Sequence, residues 1–164
     1  MRAAAKEVVM SSTMSLIQSF LAQKRFAMIG VSRDPKDFSA LLCAEFENRG
    51  YAVVPVNPAA ASLFELKTYA RVQDITPPVH AALVMTPRRL DLDILRDCAE
   101  ASIRLVWLYG ISGAKEISRP AKDFCASNGI DLIAGYCPYM VLPKAAFFHR
   151  VHGAIARVIG MYPH

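Results

Sequence analysis

The chain has 164 residues, 54% of them hydrophobic and 20% charged, with a formal net charge of +5. That suits one globular domain with its own core and excludes a chain disordered throughout. No apolar run approaches the roughly 18 residues that span a bilayer, the start is too short in apolar residues for a secretory signal, and the scattered cations form no nucleic-acid-binding motif. A cytoplasmic protein that uses neither membrane nor nucleic acid is expected.

In chain order, residues 11–23 carry Met14, Leu16, Ile17, Phe20 and Leu21 near helical spacing, behind candidate caps Ser11, Ser12 and Thr13. Residues 1–24 read as an N-terminal extension with this helix, and 25–164 as a single domain. Residues 26–31 form an apolar strand. A helix follows over 38–49, with Leu41, Leu42 and Phe46 on its packed edge and Gly50 as its stop. The run 51–56 reads as a strand buried on both faces. Residues 59–75 suggest a short helical turn and then an edge strand near 69–72. Past Pro77-Pro78, a strand at 81–86 is stopped by Pro87. A helix over 90–101, a strand over 105–109, a helix over 114–128 and a last core strand over 130–134 complete the alternation. A final helix is expected over 143–159. Strands alternating with helices predict a three-layer α/β fold: a doubly wound, mainly parallel sheet of five to six strands.

In such sheets ligands bind at the carboxyl ends of the strands. Those ends are Gly30-Val31-Ser32, Asn57-Pro58, Thr86-Pro87-Arg88, Tyr109-Gly110-Ile111 and Gly135-Tyr136-Cys137. The first βα turn has one glycine where a dinucleotide-binding turn has G-x-G-x-x-G, and the second strand ends in Asn57 where an acid would hold the ribose hydroxyls. Gly30 and Ser32 read as a phosphate turn, since glycine lets a phosphate near the backbone and the next helix offers free N–H groups; a plain tight turn is the alternative. Arg33, Lys36 and Ser39 follow within reach. Asn57 is held extended by Pro58 and aims at the cleft.

Four stretches carry a family resemblance: Phe26 to Asp34, Gly50 to Pro58, Val106-Trp107-Leu108 and Cys137-Pro138-Tyr139-Met140. Together they resemble the small bacterial CoA-binding proteins, which are similar to the nucleotide-binding domain of the succinyl-CoA synthetase alpha subunit. The resemblance covers about residues 25–140. It implies a Rossmann-like fold and coenzyme A, or an acyl-CoA, as ligand. By the same resemblance Gly30, Ser32 and Arg33 meet the phosphates, Val56, Asn57 and Pro58 line the adenosine pocket, and Thr86-Pro87 flank the pantetheine path. Val31, Lys36, Ser39, Arg88, Tyr109, Gly110 and Cys137 complete the expected ligand-binding set. Relatives often place Gln-Pro-Gly after the Trp-containing strand, where this chain has Tyr109-Gly110-Ile111. The synthetase's phosphohistidine domain has no counterpart here, so the resemblance implies binding without catalysis.

Other candidates read as ordinary structure. Cys43, Cys98, Cys125 and Cys137 form no CxxC pair, and buried reduced thiols are expected. Cys137 lies at a strand end, where a helix start could activate it, but a structural residue is the simpler reading. His149 and His152 share a helix face without further metal ligands. Asp91, Asp93, Asp97 and Glu100 read as the solvated face of a helix. The apolar spread of Phe147, Phe148, Val151 and Ile155 suggests a homodimer through the last helix. The competing function is an NAD(P)-dependent oxidoreductase or redox-sensing domain.

Overall fold

The computed structural model describes residues 12–143. Its strands are β1 (Arg25–Ile29), β2 (Ala52–Val56), β3 (Ser62–Leu63), β4 (Leu66–Lys67), β5 (Ala81–Val84), β6 (Leu105–Tyr109) and β7 (Asp131–Tyr136), and its helices α1 (Thr13–Ala22), α2 (Phe38–Asn48), α3 (Asp91–Glu100) and α4 (Arg119–Ser127). Five strands form one parallel sheet in the order β2-β1-β5-β6-β7. The chain builds β1 and β2, then crosses back to lay β5 on the other side of β1. Strand order therefore reverses between β1 and β5, where a doubly wound sheet opens a crevice.

Side chains alternate across each strand, and the sheet's two faces take residues of different size. Phe26, Met28, Leu83 and Trp107 face α1 and α2, meeting Ile17, Phe20, Leu42 and Phe46. Phe20 and Phe26 lie 4.9 Å apart between ring centroids, and Phe20 meets Trp107 edge-on at 5.3 Å. The indole Nε1 of Trp107 donates to the Tyr136 carbonyl at 2.9 Å, so this large ring is buried with its polar group satisfied. On the other face Ala27, Ala82, Val84 and Val106 are small, and α3 and α4 approach with Leu95, Cys98, Ala121 and Cys125. Helix α1 thus contributes Ile17 and Phe20 to the core.

Three local expectations are corrected. The expected helical turn after Pro58 is the β3–β4 hairpin; its loop residues Phe64 and Glu65 sit at φ 51° and 67°, the pattern of a two-residue primed turn. The expected edge strand at 69–72 shrinks to a single bridge between Tyr69 and Val56. Pro55 has no N–H to offer, but its carbonyl accepts from Tyr69 N at 3.1 Å, as an edge strand permits. The expected helix over 114–128 is split: Ser118 caps α4, accepting from Ala121 N, and Pro120 sits in the first turn, where its missing N–H costs no hydrogen bond. Boundaries also move. Strand β1 stops at Ile29, and β7 runs on to Tyr136 through a bulge opposite Leu108 and Tyr109. Gly135 sits at φ 77°, and a Cβ there would lie 2.0 Å from the Gly113 carbonyl oxygen. Leu41, expected on the packed edge of α2, is 51% exposed. No helix among the described residues is long and apolar enough to cross a membrane. The expected helix over 143–159, its histidines and the proposed dimer contact lie outside the described residues.

Leu83 is fully buried in the central strand. Leu83→Ala is expected to lower the unfolding free energy by about 2–5 kcal/mol in a denaturant titration, whereas Leu41→Ala changes it by less than about 0.5 kcal/mol. All four cysteines are free and buried. Burial pushes the Cys98 thiol up from 9.0 to about 12 and the Cys125 thiol to about 11. The unfolded chain ionises these thiols first, so their contribution is complete below pH 9 and is lost as pH rises through the folded values. Urea titrations are expected to show falling stability across that window, and a shallower fall in Cys98→Ala.

Candidate functional site

The three strand ends on either side of the reversal point are drawn together by backbone and amide contacts. After Ile29 the chain turns at Gly30, φ 89°, whose N–H donates to the Val56 carbonyl at 3.0 Å. Across the turn, Asn57 Nδ2 donates to the Val31 carbonyl at 2.9 Å, while its Oδ1 accepts from Ala59 N at 2.8 Å. The amide therefore ties β2's end to β1's end, and its carbonyl folds its own turn. On the other side the Met85 N–H donates to the Ile29 carbonyl at 2.8 Å. A Cβ on Gly30 would lie 2.8 Å from Thr86 Cγ2 and 3.1 Å from Thr86 N. The glycine is required whether or not a ligand binds, because β5's end packs directly on the turn.

Three clefts open along this edge. The first, of about 350 Å³, lies between the ends of β1, β2 and β5 and helix α3. It brings Gly30, Val31, Ser32, Val56, Asn57, Pro58 and Thr86 together. A second, of about 330 Å³, joins Gly30 and Ser32 to Ser39 and Tyr109 on the α2 side. A third, of about 390 Å³, runs over Thr86, Pro87, Arg88, Tyr109 and Gly110. The expected positions thus assemble along one edge, with three exceptions. Arg33 and Lys36 are exposed and line none of these clefts, and Cys137 is buried behind them.

The turn supplies its own anions. Asp37 caps α2, its Oδ1 accepting from Ser39 N at 2.8 Å, and the Ser39 hydroxyl donates to the same oxygen. Ser39 Oγ in turn accepts from Ser32 N at 2.9 Å. Ser32 Oγ accepts from Asp34 N at 3.1 Å, and Asp34 Oδ1 from Lys36 N at 2.9 Å. Four N–H groups around the helix start are therefore occupied by the loop's own side chains.

The ionisable groups behind the clefts are held neutral or pinned. Burial pushes the Tyr109 hydroxyl up to about 12, with Cys137 and Glu116 adding to the shift. Burial also pushes the Cys137 thiol up, outweighing backbone hydrogen bonds at Tyr139 and Met140 that lower it. Asp91, read from sequence as solvated, is 3% exposed; burial raises its pKa, and Arg88, 3.4 Å away, lowers it. Glu116 accepts from Ile111 N and Ser112 N, shaping the loop after β6. Among the described residues no group of three or more histidine, cysteine or carboxylate side chains is placed to hold a metal.

Sequence reasoning missed one wall of the first cleft: Ala70, Arg71, Val72, Leu90, Ile94 and Asp97. The segment before Val72 read as an edge strand and Asp97 as solvent-facing. Leu90, Ile94 and Asp97 recur at helical spacing, which was the available signal.

A family model described as a CoA binding domain matches residues 24–143. The chain is 29% identical over 83 residues to an ADP-forming acetate–CoA ligase II of Archaeoglobus fulgidus; the match takes in 49% of this chain and 12% of the ligase. Among solved structures, a Thermus thermophilus protein is 27% identical and superposes with a TM-score of 0.66, covering 77% of this chain and 93% of that one. A dinucleotide-forming acetyl-coenzyme A synthetase 1 from Ca. Korarchaeum cryptofilum is 26% identical with a TM-score of 0.60, covering 71% of this chain and 27% of the synthetase. A Pyrococcus horikoshii protein, 19% identical with a TM-score of 0.69, shares the fold over 84% of this chain and 94% of its own.

Gly30→Ala would force a side chain into a positive-φ position against Thr86. It is expected to cost more than about 1 kcal/mol in thermal or chemical unfolding, and to shift the amide signals of both Thr86 and Asn57 in NMR spectra.

Proposed function

The chain belongs to the CoA binding domain family, and from that premise we propose that it binds coenzyme A or an acyl-CoA without transforming it. The observation that carries the reading is the first cleft. It is an apolar slot between Val56, Val72, Leu90 and Ile94, bordered by the Gly30–Ser32 turn. A flat base with a ribose suits such a slot, and its phosphates would lie toward the turn. The pantetheine arm would then run past Thr86 and Pro87 into the clefts beside Tyr109. Ser32 keeps a hydroxyl proton to donate, and Arg33 and Lys36 supply positive charge from the exposed loop. Because Asp34 and Asp37 already sit on the loop N–H groups, a diphosphate that uses those groups must displace the carboxylates, which offsets part of what it gains there.

Two features support binding in place of redox chemistry with a dinucleotide. The position that would carry an acid for a ribose diol is Asn57, an uncharged amide already held at each end by one backbone hydrogen bond. The groups nearest the thiol end of the path, Tyr109 and Cys137, are pushed toward their neutral forms by burial. A neutral thiol is a poor nucleophile. Whole ligases extend well beyond the segment matched here, and the proposal for this chain is limited to holding the ligand.

A ligand at 100 times its Kd adds about 2.7 kcal/mol, which for a chain of this size raises Tm by about 5–10 °C. Coenzyme A is expected to give such a shift and NADH none. Ile94→Trp, which fills the slot from α3 without touching the turn, is expected to abolish it. No shift with coenzyme A, or an equal shift with NADH, would overturn the reading.

A further inference from the structure

Asp97 stands at the rim of the first cleft, one helical turn beyond Ile94 and two beyond Leu90 on the same face of α3. Its Oδ1 accepts from Gln73 Nε2 at 2.8 Å and lies 3.9 Å from Arg71 Nη2. Gln73 Nε2 also donates to Glu100 Oε2 at 3.0 Å. The amide of Gln73 cannot flip, because its carbonyl would then face two carboxylates. It holds this orientation while its own Oε1 is buried with no hydrogen bond from the described residues. The two carboxylates facing Nε2, and not the needs of Oε1, therefore set the amide's orientation. What it secures is the position of Asp97, with Oδ1 tethered and no hydrogen bond to Oδ2 from the described residues.

We infer that Asp97 reads the 6-amino group of adenine. This rests on the proposal that the first cleft holds the adenosine of coenzyme A. A base lying on Leu90 and Ile94 turns one edge toward the next residue along that face, which is Asp97. A carboxylate only accepts hydrogen bonds. It pairs with the amino group of adenine and opposes the carbonyl oxygen that hypoxanthine carries at the same position. Sites that hydrogen-bond a ligand N–H discriminate against analogues lacking it. The effect here is moderated because the Asp97 side chain is 39% exposed. Arg71, 58% exposed and at long range from both carboxylates, limits the negative charge that the rim presents to the ligand's phosphates.

The test is calorimetric titration of the full chain with coenzyme A and with its hypoxanthine analogue, in which the adenine amino group is replaced by oxygen. Wild type is expected to prefer coenzyme A by about tenfold, and Asp97→Ala to bind the two within about twofold. Glu100→Ala, which removes a carboxylate outside the cleft, is expected to keep the preference. Asp97→Ser is the second variant should Asp97→Ala fail to fold. If wild type binds neither ligand, the adenosine reading itself fails, and this inference with it. If coenzyme A binds but wild type shows no preference, or the Asp97 variants keep it, the role of Asp97 is overturned while the binding reading stands.

Discussion

The contact between Gly30 and Thr86 is the constraint on which the carboxyl edge of the sheet depends. Strand β1 lies between β2 and β5 at the point where the winding reverses, so its end must meet the ends of both. On the β2 side the meeting is polar: Gly30 N–H to the Val56 carbonyl, and the Asn57 amide to the Val31 carbonyl. On the β5 side it is steric, backbone against a threonine methyl with no room for a Cβ between. Together these contacts hold three loops in one arrangement. The clefts are the spaces left between the loops, so these contacts set how far apart their walls stand.

The turn carries a tension of its own. A helix start favours anions, and here Asp34 and Asp37 already hold that place. They stabilise the free loop and compete with an incoming phosphate. On the proposed binding reading, the apolar slot therefore contributes a larger share of the binding energy than it would beside a turn whose N–H groups are empty. That distribution fits a ligand recognised first through its base, with phosphates exchanged onto the loop afterwards.

Much of this was legible in the sequence, because it is written in single residues with few alternatives. A glycine after a strand, an Asn-Pro after the next and apolar runs of strand length mark the strand ends, whereas the strand order and the place where the winding reverses come from the structure. The β3–β4 hairpin was not legible, since its primed turn is made by Phe64 and Glu65 instead of the usual Asn-Gly. Pro120 marked a helix start inside what read as one helix. The acidic residues of α3 misled most. Asp91, Asp93 and Asp97 have the same charge and lie within two turns of one helix, but one is buried against Arg88, one is exposed beside Arg96 and one edges the cleft. Periodicity assigns residues to faces of a helix, but which face meets a cleft depends on the segment before Val72, which has no periodic signature.

The two faces of the sheet divide the work. On the α1–α2 face, Phe20, Phe26, Phe46 and Trp107 interlock and supply packing with little freedom to shift. On the α3–α4 face, alanines and valines let the helices come close, and α3 reaches past the strand ends to form a wall of the first cleft. The aromatic face fixes the position of β1 and hence of Gly30, while the small-residue face decides how deep the slot can be. A larger side chain at Ala27 or Ala82 would push α3 outward and open the slot without touching any residue that lines it. The shape of the slot therefore depends on the volume of the sheet residues beneath α3 as much as on the turn itself.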